Sequence, residues 1–249
     1  ASITALGHMA GYHTMGNSNT YIGEGAGYSG ASADHGSKNV AVGRGSMYYG
    51  DNINNSVAMG YYSLQHGDAN TSETVAIGYF AGLYATGSNN TFVGAEAGEG
   101  GTTSAPYSSG TKNTAIGYQA LTGFTSGYNN TILGYRAGYR ITTGFANQYF
   151  GYQAGYTSVG GRNVFMGANA GRYMASGSEN VAIGYEAMAA NYYSSDIADN
   201  GEGKSVAIGA YALQNMPETG VNGLLTVAIG HGALRYQSGS SGGRNVAVG

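Results

Sequence analysis

The chain has 249 residues, of which 46 are glycine and only 9% are charged. With two prolines and no three-residue period, this composition excludes collagen and a solvated disordered tail, and it favours a repeat that is rich in turns. The net charge of −3 is spread without runs, so no footprint for nucleic acid or for an anionic membrane is present, and the lack of cysteine excludes disulfides and thiolate metal sites.

One short phrase recurs along the whole chain, and its plainest copy runs from Asn180 to Gly184. Fourteen copies occur, the first closing at Gly7 and the last at Gly249, with a basal spacing of 16 or 17 residues. Self-similarity at a short period indicates units that stack on their neighbours instead of folding alone. The sequence therefore predicts an all-β fold, a parallel β-solenoid of about fourteen short coils that forms a single repeat domain over residues 1–249.

Each phrase has the periodicity of a short β-strand, because apolar or Thr residues stand two apart, as Val181 and Ile183 do. The residue between them is also apolar, usually Ala but large in several copies. Strands that are apolar on both sides are normally covered on both faces. We therefore expect Val181 and Ile183 to face the core and the middle residue to meet another layer or another chain. The large middle residues predicted for such a lateral interface are Tyr21, Phe92, Ile132, Tyr149 and Phe165.

A second regularity follows the glycine that closes each phrase, here called the phrase glycine. The third residue after it is Ala or Ser, which predicts a position that admits only a small side chain, and the fourth is either Gly or Leu/Met. We interpret this segment as a return strand. Where the fourth residue is Gly, a Tyr often follows, and we expect that ring to fill the volume that Leu or Met would occupy. These tyrosines are Tyr12, Tyr28, Tyr84, Tyr139, Tyr156 and Tyr173.

Polar turns and three insertions separate the phrases. The Asn that precedes most strands, such as Asn180, is expected to stack into a ladder of side-chain amides along the repeat. The insertions cover residues 99–112, 189–204 and 214–225. Insertions in solenoids map to outer loops that often form the binding face, although they can also be plain tolerated loops.

Six tyrosines directly follow a phrase glycine: Tyr61, Tyr79, Tyr118, Tyr135, Tyr152 and Tyr185. Stacked coils would place such residues in a column with a spacing of about 4.8 Å. An aromatic column can bind glycan rings or another filament by stacking, and structural packing is the alternative interpretation. We predict a binding surface on this column.

Catalytic and metal-binding patterns are weak in this sequence. The five histidines fall in different coils without ligand spacing, and Ser, His and Asp lack a nucleophile motif. The stretch from Asp196 to Glu202 is similar to a calcium loop, but Ala198 and Ala207 stand where ligands belong. We therefore predict no enzyme activity, no cofactor and no metal site.

The phrases around Val57 and Val206, which read NNSVAMG and KSVAIG, resemble the head repeats of trimeric autotransporter adhesins. The resemblance covers the whole chain. It implies a left-handed parallel β-roll in which three chains pack side by side and which serves surface adhesion. Similar repeats occur in phage tail fibres and large secreted fibre proteins. This chain has longer coils than that family and 23 tyrosines, so a single-chain solenoid stays open as the alternative to a trimer.

Together these features predict a structural and adhesive fibre segment outside the cell or at its surface. The partners expected are copies of the chain in a homotrimer, together with surface glycans or host matrix. No stretch approaches the ~20 apolar residues that span a bilayer, so no membrane contact by this segment is expected. The alternatives are a phage tail-fibre shaft and a filament subunit joined head to tail, since the sequence begins with a phrase and stops at Gly249, and open strand edges invite pairing.

Overall fold

The computed structural model describes residues 2–29, 36–68, 70–105, 107–174, 177–189, 204–215, 225–235 and 245–249. Over these residues the chain is a parallel β-solenoid of about 12 turns with fourteen short strands and no helix. This confirms the all-β solenoid that the repeat predicts, whereas the left-handed winding stays a prediction. The chain divides into two compact units, Ala1–Asn129 (unit 1) and Asn130–Gly249 (unit 2).

Unit 1 contains seven strands, and each pairs in parallel with the next one along the chain. The register follows the phrase, so that Val57 lies opposite Val75 and Ala58 opposite Ala76. Identical positions of successive phrases therefore stack in rows. The strands are β1 Ile3–Leu6, β2 Asn19–Ile22, β3 Val40–Val42, β4 Val57–Met59, β5 Val75–Ile77, β6 Thr91–Val93 and β7 Thr114–Ile116.

Unit 2 repeats this arrangement with seven further strands, again parallel and in phase. Val181 lies opposite Val206, and Ala182 lies opposite Ala207. The strands are β8 Thr131–Leu133, β9 Gln148–Phe150, β10 Val164–Met166, β11 Val181–Ile183, β12 Val206–Ile208, β13 Val227–Ile229 and β14 Val246–Val248.

The middle residue of each strand points into the coil, and its two neighbours point outward. In β11, Ala182 is fully buried while Ile183 is 37% exposed. Successive side chains of a strand point to opposite faces, so a strand of three residues offers one inward position when its middle residue faces the core. The expectation that the flanking residues form the core is therefore wrong.

The large middle residues are part of this interior and do not form a lateral interface. Each is fully buried by its own chain, so no second chain can contact it. The prediction of an interface at these positions is wrong, because the middle residues, which were expected on the outer face of the strand, point into the coil. The five residues are Tyr21, Phe92, Ile132, Tyr149 and Phe165.

The volume of the middle residue is matched by the fourth residue after the phrase glycine. A large middle residue is paired with Gly, as in Phe165 with Gly171, whereas a middle Ala is paired with Leu or Met, as in Ala182 with Met188. A Cβ atom on Gly171 would lie 2.4 Å from Cε2 of Phe165, so the ring occupies that space. Each pair therefore fills the same volume in its coil.

Two coils in unit 1 have Ala as the middle residue and Gly as the fourth residue after the phrase glycine. An aromatic ring from the next coil fills the space that this pair leaves. In the first, a Cβ atom on Gly11 would lie 3.0 Å from Cδ2 of Tyr21, and in the second, a Cβ atom on Gly82 would lie 3.0 Å from Cδ2 of Phe92. One large ring thus fills parts of two coils. The tyrosines expected to do this are wrongly assigned, since Tyr12 is exposed and Tyr28, Tyr84, Tyr139, Tyr156 and Tyr173 are only half-buried.

The segment after each phrase glycine is a run of turns and not the predicted return strand. After Gly151, Gln153 and Gly155 have positive φ angles of 51° and 58°, which are incompatible with an extended strand. Hydrogen bonds still join the coils here, because N of Gln153 donates to O of Tyr135 and N of Gly155 donates to O of Ala170, both at 2.9 Å. This turn segment therefore forms a second ladder between coils.

The small residue within the turn segment lies in the interior. In eleven of thirteen copies the third residue after the phrase glycine is fully buried, as Ala154 and Ser63 are. This agrees with a position that admits only a small side chain. Because the backbone of the turn segment passes close to the strand, little space is left between them.

The predicted asparagine ladder is present in both units. In unit 2, Oδ1 of Asn147 accepts a hydrogen bond from N of Asn163 at 2.9 Å, and Oδ1 of Asn163 accepts one from N of Asn180 at the same distance. Nδ2 of Asn147 donates to O of Gly160 at 2.8 Å. In unit 1, Oδ1 of Asn19 accepts in the same way from N of Asn39, at 2.9 Å. The ladder thus satisfies buried backbone groups in both units.

Candidate binding surface

The six tyrosines that follow a phrase glycine all lie on the surface. They are between 38% and 51% exposed. Their rings stack in pairs: Tyr61 lies 5.5 Å from Tyr79 at an interplanar angle of 6°, and Tyr135 lies 5.2 Å from Tyr152 at 5°. Ala95 interrupts the row before Tyr118, and Ala168 interrupts it before Tyr185. The row therefore presents aromatic pairs instead of an unbroken column, and its role in binding stays a prediction.

A second set of aromatic residues in unit 1, which we call the aromatic row, was not predicted as a surface. It comprises Tyr12, Tyr28, Tyr48, Tyr49, His66, Tyr84 and Tyr107. Neighbouring rings lie close together, with centroids 5.5 Å apart for Tyr12 and Tyr28 and 4.6 Å apart for Tyr28 and Tyr48. The signal in the sequence is an aromatic residue five or six positions after successive phrase glycines, and the repeat pattern places only Tyr12, Tyr28 and Tyr84 of this set in the core.

The insertion at residues 99–112 adds a ring to this row. The ring of Tyr107 lies 4.7 Å from His66 and 5.9 Å from Tyr84. The next residue fixes its backbone, because N of Ser108 donates to O of Tyr84 at 3.0 Å and O of Ser108 accepts from N of Thr86 at 2.8 Å. The described part of this insertion therefore folds back onto the coils. Of the other two insertions, residues 190–203 and 216–224 lie outside the described residues.

An open groove of about 1000 Å³ lies beside the aromatic row in unit 1. Tyr49, His66 and Tyr107 line it together with the carboxylates of Asp51 and Asp68. This volume is at the upper end of the range that is usual for small-molecule sites, about 300–1,000 Å³. Aromatic faces and hydrogen-bonding groups thus converge on one concave surface.

The groove is acidic, because its lining contains Asp51 and Asp68 and no Lys or Arg. The two ion pairs among the described residues are Arg44 with Glu24 and Arg162 with Glu179, so neither groove carboxylate is neutralised by an ion pair. Burial lowers the pKa of His66 below its ordinary value, which keeps the imidazole neutral at neutral pH. The negative charge of the two aspartates is therefore uncompensated in the groove.

A turn holds Asp68 in place at the edge of the groove. Its Oδ1 accepts a hydrogen bond from N of Asn70 at 2.8 Å, and its N donates to Oγ1 of Thr71 at 2.9 Å. N of Thr71 donates in return to O of Asp68 at 2.8 Å. These bonds fix the carboxylate before any ligand arrives.

Unit 2 carries a polar network on its outer surface. Nε2 of Gln214 donates to Oε2 of Glu186 at 2.5 Å, and Oε1 of Gln214 accepts from Nε of Arg235 at 2.7 Å. The guanidinium of Arg235 also lies 4.2 Å from the centroid of the Tyr211 ring. The carboxylate, amide and guanidinium are thus used within the protein, and this surface differs from the acidic groove of unit 1.

Within the described ranges, no three or more His, Asp or Glu side chains are grouped so that they could hold a metal ion. The stretch from Asp196 to Glu202 that is similar to a calcium loop lies outside these ranges. Nor do the described residues form any helix of the length and apolarity that a membrane span requires.

Comparison with models of known protein families and with curated protein sequences found no match for this chain.

Proposed function

We propose that this chain is a rigid repeat segment of an extracellular structural and adhesive fibre. The observation that carries the proposal is the in-phase stacking of the coils. In each unit, successive coils are joined by strand pairing, by the turn segment and by the asparagine ladder. Such stacking supports a load-bearing role, because deforming the repeat would break hydrogen bonds in all three ladders together.

The exposed tyrosine pairs support the adhesive part of the proposal. Tyrosine offers a large flat face together with a polar hydroxyl, which suits contact with glycans or with matrix proteins. The rings of Tyr61 and Tyr79 lie parallel and stack on each other, so they present their hydroxyls and ring edges as one group. We expect the double variant Tyr61→Ala/Tyr79→Ala to lower the attachment of the purified chain to immobilised glycans or matrix proteins severalfold.

Attachment is measured by the retention of the labelled chain on coated surfaces under flow. Replacing Thr91, an outward residue of β6 that is not aromatic, with Ala serves as the control and should leave attachment unchanged. Equal attachment of the tyrosine double variant and the unmodified chain would contradict a role for this row. Labelling of intact producing cells or particles with an antibody tests the proposed location, and labelling only after lysis would contradict it.

We further propose that three chains associate side by side through the outward faces of the strands. Met59 in β4 and Ile77 in β5 are half-exposed and lie opposite each other in the register, and Ile116 in β7 is equally exposed. Rows of exposed apolar residues are typical of protein interfaces. We assign the interface to this outward surface and not to the middle residues, because the middle residues are buried inside each chain.

Sedimentation analysis of the double variant Met59→Glu/Ile77→Glu tests this association. We expect the unmodified chain to sediment as a trimer and the variant as a monomer, because charges in an apolar interface lose their hydration. Tyr79→Glu places one such charge outside the strand and should leave the trimer intact. A monomeric unmodified chain would refute the trimer and support the single-chain solenoid.

Electron microscopy of the same sample separates the alternative functions. Particles of fixed length with threefold symmetry would support the trimeric fibre segment. Indefinite fibres one chain thick would instead support the head-to-tail filament subunit. Finding the chain in purified phage particles would favour a tail-fibre shaft.

A further inference from the structure

We propose that the groove beside His66 binds a neutral glycan chain, whose sugar rings stack on Tyr49 and Tyr107 and whose hydroxyls donate hydrogen bonds to Asp51 and Asp68. This inference rests on the proposed adhesive function and deepens it, since it names one site and one class of ligand. The site is distinct from the tyrosine row that follows the phrase glycines.

The aromatic residues supply the stacking surface. Tyr49 is 52% exposed, and its ring lies 5.2 Å from that of His66 at an interplanar angle of 30°. On the other side of His66, the ring of Tyr107 lies 4.7 Å away at 39°. Three rings, two from adjacent coils and one from the insertion, thus pack against one another as an aromatic wall along the groove. The flat C–H face of a sugar ring can pack against an exposed ring face of this wall, because aromatic faces carry partial negative charge.

The polar lining matches the hydroxyl groups of a sugar. Carboxylates of Asp51 and Asp68 accept hydrogen bonds only, and hydroxyl groups of a glycan can donate to them. Six further lining residues carry a hydroxyl or amide group that both donates and accepts. They are Asn70, Thr86, Thr102, Ser109, Thr125 and Ser126. This density of small polar groups suits a ligand that has hydroxyls around every ring.

The charge of the groove selects among ligands. Sulfated or sialylated glycans and nucleic acids would bring negative charge towards Asp51 and Asp68, and the lining offers no Lys or Arg to compensate it. A basic peptide would complement the carboxylates. The wall of rings and the hydroxyl-rich lining nevertheless favour a neutral glycan, because peptide side chains gain most in deep apolar pockets and this groove is open.

The groove is preorganised, which lowers the entropy cost of binding. Backbone hydrogen bonds on both sides of Ser108 hold the neighbouring Tyr107, and the turn from Asp68 to Thr71 holds the carboxylate. The ring of Tyr84 packs 5.2 Å from that of His66 and supports this wall. A ligand therefore meets rings and acceptors that are already in place.

Isothermal titration calorimetry with the whole chain tests the proposal. The probes are cellohexaose, xylohexaose, mannohexaose and chitohexaose, with a heparin hexasaccharide and hexalysine as charged comparisons. We expect at least one neutral oligosaccharide to bind and the heparin fragment not to bind. Failure of all four neutral probes at about 1 mM, which corresponds to a binding free energy of about −4 kcal/mol, would overturn the proposal. Binding of hexalysine alone would also overturn it and would assign the groove to basic peptides.

Two matched tyrosine variants locate the binding site. Tyr49→Ala should weaken binding about tenfold or more, whereas Tyr173→Ala in unit 2 should change it less than twofold; both tyrosines lie six residues after a phrase glycine. Tyr49→Phe keeps the ring and should keep the affinity, and circular dichroism checks that each variant is folded. Equal weakening by Tyr49→Ala and Tyr173→Ala would refute the groove as the site.

The failure of this inference can be told from the failure of the proposed function. If surface attachment persists in Tyr49→Ala but is lost in Tyr61→Ala/Tyr79→Ala, the chain is adhesive and the groove is not its glycan site. If both variants attach as well as the unmodified chain and no probe binds, neither the groove nor the tyrosine row is adhesive.

Discussion

Unit 1 and unit 2 are built from the same phrase, and they differ in the side chains that fill the coil interior and in the residues on the outer surface. In unit 2, three coils with a large middle residue and Gly are followed by three coils with a middle Ala and Leu or Met. In unit 1 the two kinds of coil alternate irregularly. Two further coils have a middle Ala with Gly, and the ring of Tyr21 or Phe92 from the next coil packs against them. The interior therefore conserves volume and not residue identity.

The outer surfaces of the units differ more than their interiors. The aromatic row of unit 1 gains Tyr107 from an insertion and borders an acidic groove, whereas the row of unit 2 consists of Tyr139, Tyr156 and Tyr173, with centroid distances of 5.1 Å and 6.3 Å. Outer positions are free to vary because they need not fit a closed space. The comparison teaches that the repeat fixes the scaffold, while single insertions create local sites.

The largest expected effect comes from exchanging the two ways of filling a coil. In unit 2, Phe165→Ala should cost about 3–5 kcal/mol of unfolding free energy through the cavity that it leaves. Gly171→Leu alone should cost about 1–3 kcal/mol or more, because its Cβ would lie 2.4 Å from the Phe165 ring. The double variant should cost clearly less than the sum, since leucine would occupy the space of the ring.

The same exchange in unit 1 sharpens the comparison. Phe92→Ala with Gly98→Leu should recover less stability than the exchange in unit 2, because Phe92 also covers Gly82 in the preceding coil. Urea unfolding followed by circular dichroism measures all six variants. If the unfolding free energies lost in the two single variants add up to the loss in the double variant in both units, the two side chains do not share one volume.

The asparagine ladder should be equally important in both units. Asn147→Ala removes a buried acceptor for N of Asn163 and a part-buried donor to O of Gly160, and should cost about 2–4 kcal/mol. Asn39→Ala in unit 1 removes the acceptor for N of Ser56 and the donor to O of Ile53, and should cost a similar amount. Urea unfolding measures both.

A conservative replacement serves as the control for the ladder. Asn147→Ser should recover part of the loss, because Oγ of Ser56 already accepts from N of Thr74 at 3.1 Å at the equivalent position of unit 1. A cost of Asn147→Ala below that of substituting the exposed Asn129 would contradict the structural role of the ladder.

A buried hydroxyl in unit 2 gives a smaller effect that depends on pH. The Tyr149 hydroxyl donates to Oγ of Ser158 at 2.9 Å, so Tyr149→Phe should cost about 1 kcal/mol at pH 7. Burial raises the pKa of Tyr149 above its ordinary value of 10.0. Because the folded pKa is the higher one, the stabilising contribution is present below pH 10 and is lost as the pH rises above it.

Thermal unfolding between pH 9 and pH 11.5 measures this linkage. Stability should fall more steeply in the unmodified chain than in Tyr149→Phe, and the exposed Tyr152→Phe should behave as the unmodified chain does. If the stabilities of the unmodified chain and of Tyr149→Phe fall equally with rising pH, folding does not raise the pKa of the Tyr149 hydroxyl.

The smallest expected effect concerns His66 in the groove of unit 1. Burial lowers the pKa of His66 below 6.5, so the unfolded chain takes up a proton more readily than the folded chain. Its contribution to stability should therefore fall as the pH drops from 7 through 6.5. The raised pKa of Glu99, caused by burial and by Glu96, acts in the opposite sense at lower pH.

The readout is the difference between the unmodified chain and His66→Gln at each pH. Thermal unfolding between pH 5 and pH 7.5 should show the unmodified chain losing more stability on acidification. A difference that is constant over this range would contradict the buried environment of His66.

The fold was largely predictable, and the site was not. Phrase spacing was sufficient to predict stacked coils, in-phase strands and the ladder through Asn147, because a repeat imposes the same neighbours on equivalent positions. The groove depends on Tyr107 reaching His66 from an insertion whose path has no periodicity. The aromatic positions were visible in the sequence, but their exposure was not.

The sequence by itself determined the period, the strand positions, the parallel pairing and the small buried Ala of the turn segment. Only the tertiary structure decided which strand face is inside, since Val181, Ala182 and Ile183 are all apolar and alternation alone has no preferred side. Inside the coil, the middle residue and the fourth residue after the phrase glycine fill one limited volume together, and the flanking residues are left outside. Tertiary structure likewise placed the insertion against the aromatic row, because that contact depends on the path of one loop and not on the repeat.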